Sequence, residues 1–391
     1  MAKRVLILGG GTGGLVSAKK LAETLRGAET EERVEITLVT NSPFHEFQPL
    51  YFDVAMGTAK PDEVRAPIEA LRSYGVNVVL DNVVSIDAAN RLVNLEKLGG
   101  ISYDYLVVAL GVRYGWEAYP GLAEAGYHNY TLEGARQLSR ALARFKKGRL
   151  VLLVPELPHR CGMYPHEAVT TFAELFRNRG AAVQVTLMTP EKSQMGALGP
   201  DFPKLWQAKY EEFGIERVVY DKLQEIDPRR RLIRAGNVEE KYDLLIKVPP
   251  SRLPPPLERS EGFQLKGDPR WAPVRGRNFR HPQYDDVFLT GEHSMPPAGL
   301  MTAGIPVHFA SEYAAEQIAS EIIGGHPVAG LTRTMTCVGY YGSSSGLAGN
   351  CEVDYDEKAG KWKPRCYVAG VSPIIRLMKE AFYKAWIASL K

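Results

Sequence analysis

Apolar positions along the chain fall into alternating short continuous runs and helical stripes. Arg4–Leu8 reads as a strand buried on both faces, Gly13–Leu25 switches to helical spacing, and Val34–Val39 returns to a strand. That order is a βαβ unit. A second alternation begins near Leu150 with VLLVP, continues as a helix through Val169 to Arg179, and ends in the strand VQVTLMT. Val169, Phe172, Leu175 and Phe176 share one face of that helix, so a second doubly wound unit is expected there. Between about Lys247 and Pro273 the chain is rich in Pro and Arg (VPPSRLPPPLER), which opposes helix and central strand alike and predicts a long loop. A strand at Asp286–Thr290 and a helix from about Val307 to Ile323 are assigned back to the first unit.

The C-terminal part has its own pattern. Residues 350–368 predict a hairpin, CEVDYD and KWKPRCYV around a turn at EKAG, which sets Cys351 opposite Cys366. The last segment, 373–391, places Ile374, Met378, Ala381, Phe382, Ala385 and Trp386 on one stripe of an amphipathic basic helix. No internal repeat and no low-complexity tract is legible. The expected organisation is 1–115 with 275–330 as one unit, 116–274 as a second, and 331–391 as a C-terminal hairpin and helix.

Composition narrows the class. With 391 residues, 45% hydrophobic and 24% charged, the chain can build two or three packed cores, and disorder, collagen and coiled coil are excluded. Lys and Arg number 48 against 45 Asp and Glu, too balanced for nucleic-acid binding to be argued from bulk charge. Four cysteines and an N-terminus that runs straight into a strand suggest an intracellular protein. The longest apolar run, Tyr105–Val112, is far below the ~20 residues of a spanning helix, and no metal-ligand spacing stands out.

Gly9, Gly11 and Gly14 form G-x-G-x-x-G between a strand and a helix, where missing side chains let the backbone approach a pyrophosphate at the helix N-terminus. At the end of the second strand, where an acid would hold the ribose, the chain has Thr40 and Asn41, and Asn41 is the candidate contact. Two later segments bear on which dinucleotide is bound. YDYLVVALGVRY (Tyr103–Tyr114) resembles the strand-then-glycine motif of two-dinucleotide flavoproteins and singles out Ala109 and Gly111. DDVFLTGEH (Asp285–His293) resembles their late motif, with Gly291 and with Glu292 where those proteins usually carry Asp. The three in order indicate FAD. After VLLV the second unit reads PELPHRCGMYPHE in place of a glycine loop, so no pyridine-nucleotide site is expected there.

Neither C-x-x-C nor C-x-x-x-x-C occurs. Cys161, bracketed by His159, Arg160 and His166 near an expected helix start, is predicted to favour thiolate. Cys337 lies in TMTCVGYYGSSSG. The motif P-x-x-x-x-x-C-G-x-x-P-x-E (Pro155–Glu167), the segment around Cys337, the VPP turn at Val248–Pro250 and the three FAD motifs together resemble sulfide:quinone oxidoreductases, with the flavoprotein subunit of flavocytochrome c sulfide dehydrogenase a near second.

The resemblance implies two Rossmann-like units of the glutathione-reductase-like α/β class and FAD as the electron carrier. It implies that Cys161 and Cys337 carry sulfide sulfur, that Glu167 is a candidate base, and that a membrane quinone is the acceptor. Tyr340, Tyr341 and Phe382 are candidates for the quinone's path. The chain departs from the family in having no third cysteine in GYHNYTLEG and none at 43–57, so non-covalent FAD is expected. Cys351 and Cys366 match no family position, and a hairpin cross-link or two buried thiols explains them. Peripheral attachment to the cytoplasmic side of the cell membrane, through Ile374, Met378, Phe382 and Trp386 with Arg376, Lys379 and Lys384 at headgroups, is expected, and a homo-oligomer is compatible with the resemblance. Other classes weighed are a type II NADH:quinone dehydrogenase, which would need the missing second glycine loop, and a flavin-containing binding protein whose cysteines are inert.

Overall fold

The computed structural model describes residues 2–26, 33–325 and 334–390, so the expected boundary at 330–331 lies outside the described residues. Five parallel strands form the first sheet, in the order Val287–Leu289, Tyr105–Val108, Lys3–Leu8, Val34–Thr40 and Asn77–Leu80. Continuous burial on both faces of Val5–Leu8 and Leu106–Val108 is what a parallel sheet covered on two sides requires. The helices Thr12–Arg26 and Gly304–Ile323 pack on each other, tied by half-buried Lys20 and buried Glu316 at 2.8 Å.

The second sheet is a four-stranded parallel one in the order Glu216–Val219, Ala182–Thr189, Lys147–Leu153 and Leu244–Lys247. Its helix runs Tyr164–Asn178, beginning five residues before the expected Val169, because the chain turns directly from Cys161 into it: Tyr164 N donates to Cys161 O at 2.9 Å.

An internal correspondence that the sequence reading missed is plain in three dimensions. Each parallel sheet is followed by a three-stranded antiparallel meander, 83–102 and 223–241, which leads straight back into a parallel strand. In both, an Asp caps the first turn (Asp87, Asp227), an Arg enters the left-handed region (Arg91, φ 52°; Arg231, φ 51°), and a Tyr-Asp pair closes the meander. Asp104 accepts from Arg4 N and Asp243 from Arg149 N, both at 2.8 Å, pinning the first strand of each sheet in the same way. Few identities survive outside these pivots, which is why the repeat escaped the sequence.

The segment 247–273 is not a free loop. Ser251–Arg252 pairs with Arg113–Tyr114, and Leu253, Leu257, Phe263 and Ala272 are buried with Leu6 and Leu8 in the core of the first sheet. Apolar side chains spaced among the prolines provide that anchorage. The expected hairpin is one strand short: Thr334–Tyr340, Gly346–Asp356 and Lys361–Ser372 form a three-stranded antiparallel sheet, which puts Cys337 on its first strand. Cys351 and Cys366 are in register, Cα atoms 4.0 Å apart, and disulfide-bonded.

The helix Pro373–Ala388 is capped by Ser372, whose Oγ accepts from Ile375 N at 3.2 Å. Trp386 turns inward rather than outward as expected: its Nε1 donates to His45 Nε2 at 3.1 Å, and His45 Nδ1 meets Gly10 O at 3.0 Å. Among the described residues no helix is long and apolar enough to cross a membrane.

Trp206, fully buried between His166, Tyr341 and Met195, locks the helix Asp201–Phe213 onto the second core. Trp206→Ala is expected to cost about 3–5 kcal/mol and to lower the midpoint of a thermal scan. Lys204→Ala on the exposed face of the same helix should leave that midpoint within experimental scatter.

Candidate active site

The predicted dinucleotide residues converge on the C-terminal edge of the first sheet, where ligands of open parallel sheets bind. A Cβ on Gly14 would overlap the carbonyl oxygen of Gly9, and one on Gly9 (φ +109°) would run into that of Ala109, whereas one on Gly11 would meet nothing within 4 Å. Gly9 and Gly14 therefore allow tight packing, and Gly11 leaves an open cradle at the start of the helix. Gly291 N donates to Val108 O at 3.2 Å, beside Ala109 and Gly111. Asn41 is exposed just beyond the second strand.

Glu292 is buried. One carboxylate oxygen receives Arg160 Nε at 2.6 Å, while the other, Oε1, has no partner in the described residues. Thr290 Oγ1 at the strand end likewise has no partner in the described residues, and His293 is buried, its pKa pulled down to about 3 by burial against a backbone hydrogen bond to Val108. Unsatisfied buried polar atoms at the end of this strand fit a hydroxyl-rich ligand that supplies donors. The open cradle and these orphaned atoms together accommodate FAD.

Cys161 and Cys337 come from different units and line one cavity with Met163, Met195 and Met301. Cys161 is held in the left-handed region (φ 60°), its N donating to Thr302 O at 2.5 Å, and Thr302 Oγ1 donates back to His159 O. Thus a loop after the last strand of the first sheet fixes the cysteine of the second unit. Arg160 spans the same seam through Glu292 and, at 2.6 Å, the Tyr114 hydroxyl.

The expected thiolate at Cys161 is not what this environment favours. Burial, with Glu167 nearby, pushes the Cys161 thiol up to about 11, and burial with Cys161 and Glu167 pushes Cys337 up to about 12. The basic neighbours are engaged elsewhere: Arg160 with Glu292, His159 with a backbone carbonyl at 3.2 Å, and His166 with Tyr210 and Glu191 at 2.6 and 2.8 Å. The backbone N–H groups of Met163 and Tyr164 at the helix start do lower the Cys161 pKa, but burial outweighs them.

Glu167 is the hub of a buried polar cluster. Its Oε1 receives Tyr340 N at 2.7 Å and the Lys379 ammonium, and that ammonium lies 3.5 Å from the centroid of the Tyr340 ring. The Tyr340 hydroxyl donates to Asp53 Oδ1, Asp53 Oδ2 has no partner in the described residues, and burial raises the Asp53 pKa. Lys379 and Asp53 were missed by the sequence reading. Lys379 was expected at headgroups and is instead 4% exposed in an ion pair.

The other two aromatics lie apart. Tyr341 donates to Leu205 O at 2.7 Å and packs on Trp206, while Phe382 is 48% exposed beside Tyr383 and Trp386. Phe382 belongs to an outward face with Ile374, Leu377 and Met378, which are 68%, 61% and 62% exposed.

Residues 3–154 match the family model described as pyridine nucleotide-disulphide oxidoreductase. The mitochondrial sulfide:quinone oxidoreductase of Mus musculus is 26% identical over 319 residues, covering 77% of this chain and 68% of that protein. The X-ray structure of the sulfide:quinone oxidoreductase of Aquifex aeolicus superposes with a TM-score of 0.84 at 20% identity, over 100% of this chain and 91% of that one. The type II NADH:quinone oxidoreductase Ndh of Mycobacterium tuberculosis is 33% identical, but over 150 residues, 37% of this chain and 31% of that protein.

With Cys161 and Cys337 reduced, iodoacetamide labelling of Cys161 should rise about tenfold per pH unit and keep rising to about pH 11. Because the raised pKa favours the neutral thiol, a plateau below pH 8 would contradict the apolar environment described.

Proposed function

We infer that this chain, which belongs to the FAD-dependent sulfide:quinone oxidoreductase family, oxidises sulfide at Cys161 and Cys337 and delivers the electrons to a membrane quinone. The observation that carries the assignment of residues is that two cysteines from separate units meet on one cavity, next to a buried carboxylate and ammonium. Gly9, Gly11, Gly14, Asn41, Ala109, Gly111, Gly291 and Glu292 would hold the FAD, and the chemistry it supplies when bound is two-electron carriage between the cysteines and the quinone.

In the oxidised resting state hydrosulfide attacks the Cys161–Cys337 disulfide. A sulfur–sulfur bond forms to Cys161, the bond between the cysteines breaks, and Cys337 leaves as thiolate. The proton of the hydrosulfide passes to Glu167, which is ion-paired with Lys379. The apolar pocket that raises the Cys337 thiol pKa makes Cys337 a poor leaving group. Lys379 and Tyr340, with Asp53 behind them, form a proton path toward the quinone side, and Tyr341 and Phe382 remain its candidate flanking aromatics.

The outward face Ile374, Leu377, Met378 and Phe382 supports a monotopic contact with the bilayer, each side chain contributing about 1.5–3 kcal/mol if fully buried. Val371 and Tyr367 extend this exposed apolar surface onto the last strand. A position on the cytoplasmic side of the cell membrane is part of this proposal. The type II NADH dehydrogenase reading is disfavoured by the turn at 155–163, which has no glycine loop for a nicotinamide dinucleotide.

Cys161→Ser and Cys337→Ser should each abolish sulfide-dependent quinone reduction while FAD stays bound, whereas NADH should fail to bleach the flavin of the parent protein. Turnover surviving in either variant would remove the cysteine pair from the mechanism. Ile374→Glu and Phe382→Glu should each weaken liposome binding at least about tenfold without slowing flavin bleaching by sulfide. Acid denaturation should release FAD into the supernatant, since no cysteine stands at 43–57 to tether it.

A further inference from the structure

The cavity that holds Cys161 and Cys337 has a third sulfur wall that the reading above does not use. Cys351 lines it too, disulfide-bonded to Cys366. The sheet register shows how this arises. Cys337 pairs with Gly349, and Cys351 lies two residues further along that strand, so both side chains leave the same face as diagonal neighbours, about 7–8 Å apart at Cα. Gly349 puts no side chain between them, and a Cβ there would press on Phe202 at 3.0 Å.

Access is one-sided. Cys351 borders the cavity and Cys366, on the outer strand of the sheet, does not. A nucleophile in the cavity therefore meets Cys351 Sγ, with Cys366 Sγ as the departing atom. The wall is otherwise soft and apolar, with Met163, Met195 and Met301, and suits uncharged sulfur chains.

We propose that the Cys351–Cys366 disulfide is a sulfur store that takes sulfane sulfur from the Cys161 persulfide and holds it as a trisulfide. This rests on the sulfide-oxidising reading of the site. The terminal sulfur of the persulfide attacks Cys351 Sγ; a sulfur–sulfur bond forms there and the bond to Cys366 breaks, its electron pair leaving on the Cys366 thiolate. That thiolate then attacks the bridging sulfur, whose bond to Cys161 breaks and returns Cys161 as thiolate. In sum a persulfide and a disulfide become a thiolate and a trisulfide, with no external oxidant or reductant. A later hydrosulfide removes the stored atom as disulfide anion (HSS⁻) and restores the Cys351–Cys366 bond, again in balance.

The test uses the FAD-loaded full chain, sulfide and a soluble short-chain quinone. After acid quench and alkylation of free thiols, peptides are weighed while flavin bleaching is followed in parallel. The expected result is a fraction of the cross-linked peptide pair containing Cys351 and Cys366 heavier by one sulfur atom. In Cys161→Ser the same pair should stay at its disulfide mass. If Cys161 peptides gain sulfur and the cross-linked pair never does, the store is refuted and the sulfide-oxidising reading stands. If the pair gains sulfur equally in Cys161→Ser, it reacts with polysulfide from solution and the proposed donor is wrong. If sulfide neither bleaches the flavin nor loads any cysteine, both readings fall.

Discussion

A carboxylate and an ammonium buried together at Glu167 and Lys379 constrain most of what surrounds them. Removing two charges from water is costly, and the pair is tolerable only because its remaining valences are filled by the Tyr340 amide and the Tyr340 ring. Each of those contacts comes from a different part of the chain. Glu167 is on the first turn of the helix that follows Cys161, Tyr340 ends the strand that carries Cys337, and Lys379 is on the C-terminal helix. Satisfying one ion pair therefore fixes the two cysteines relative to each other and docks the helix with the exposed apolar face beside the cavity they line.

The same burial shapes the sulfur chemistry. A site that depresses thiol pKa values would hold reactive thiolates at rest, open to adventitious oxidation. Here burial raises both thiol pKa values, so that in the proposed reaction the hydrosulfide anion would bring the nucleophilic charge. On that proposal the pocket would discriminate by polarity, since its wall of thioethers and one disulfide suits neutral sulfur chains better than charged or hydrated competitors.

Much of the fold and part of the site were legible in the sequence. Continuous apolar runs, the glycine loop and the hairpin spacing of Cys351 and Cys366 are dictated by local backbone geometry, and these survive in any sequence that forms them. What was hidden depends on partners distant along the chain. The C-terminal helix has two apolar stripes: the outward one through Ile374, Met378 and Phe382, and an inward one through Ile375, Tyr383 and Ile387, on which Lys379 sits. Periodicity identifies both and ranks neither, so Trp386 was placed on the wrong face and Lys379 at the surface. A lysine in the middle of an otherwise apolar stripe was the available signal. Cys161 was misjudged for a related reason, since the basic residues beside it in sequence are turned to Glu292, Glu191 and the backbone.

The contact between Trp386 and His45 fixes a tautomer. An indole N–H can only donate, so His45 Nε2 must be bare and the ring proton must sit on Nδ1, aimed at Gly10 O within the glycine loop. Burial lowers the His45 pKa and favours this neutral form. A second proton on the imidazole would set two N–H groups against each other. The far end of the C-terminal helix is thus joined to the glycine loop by a polarised relay of hydrogen bonds running in a single direction, which acid would break at its middle link.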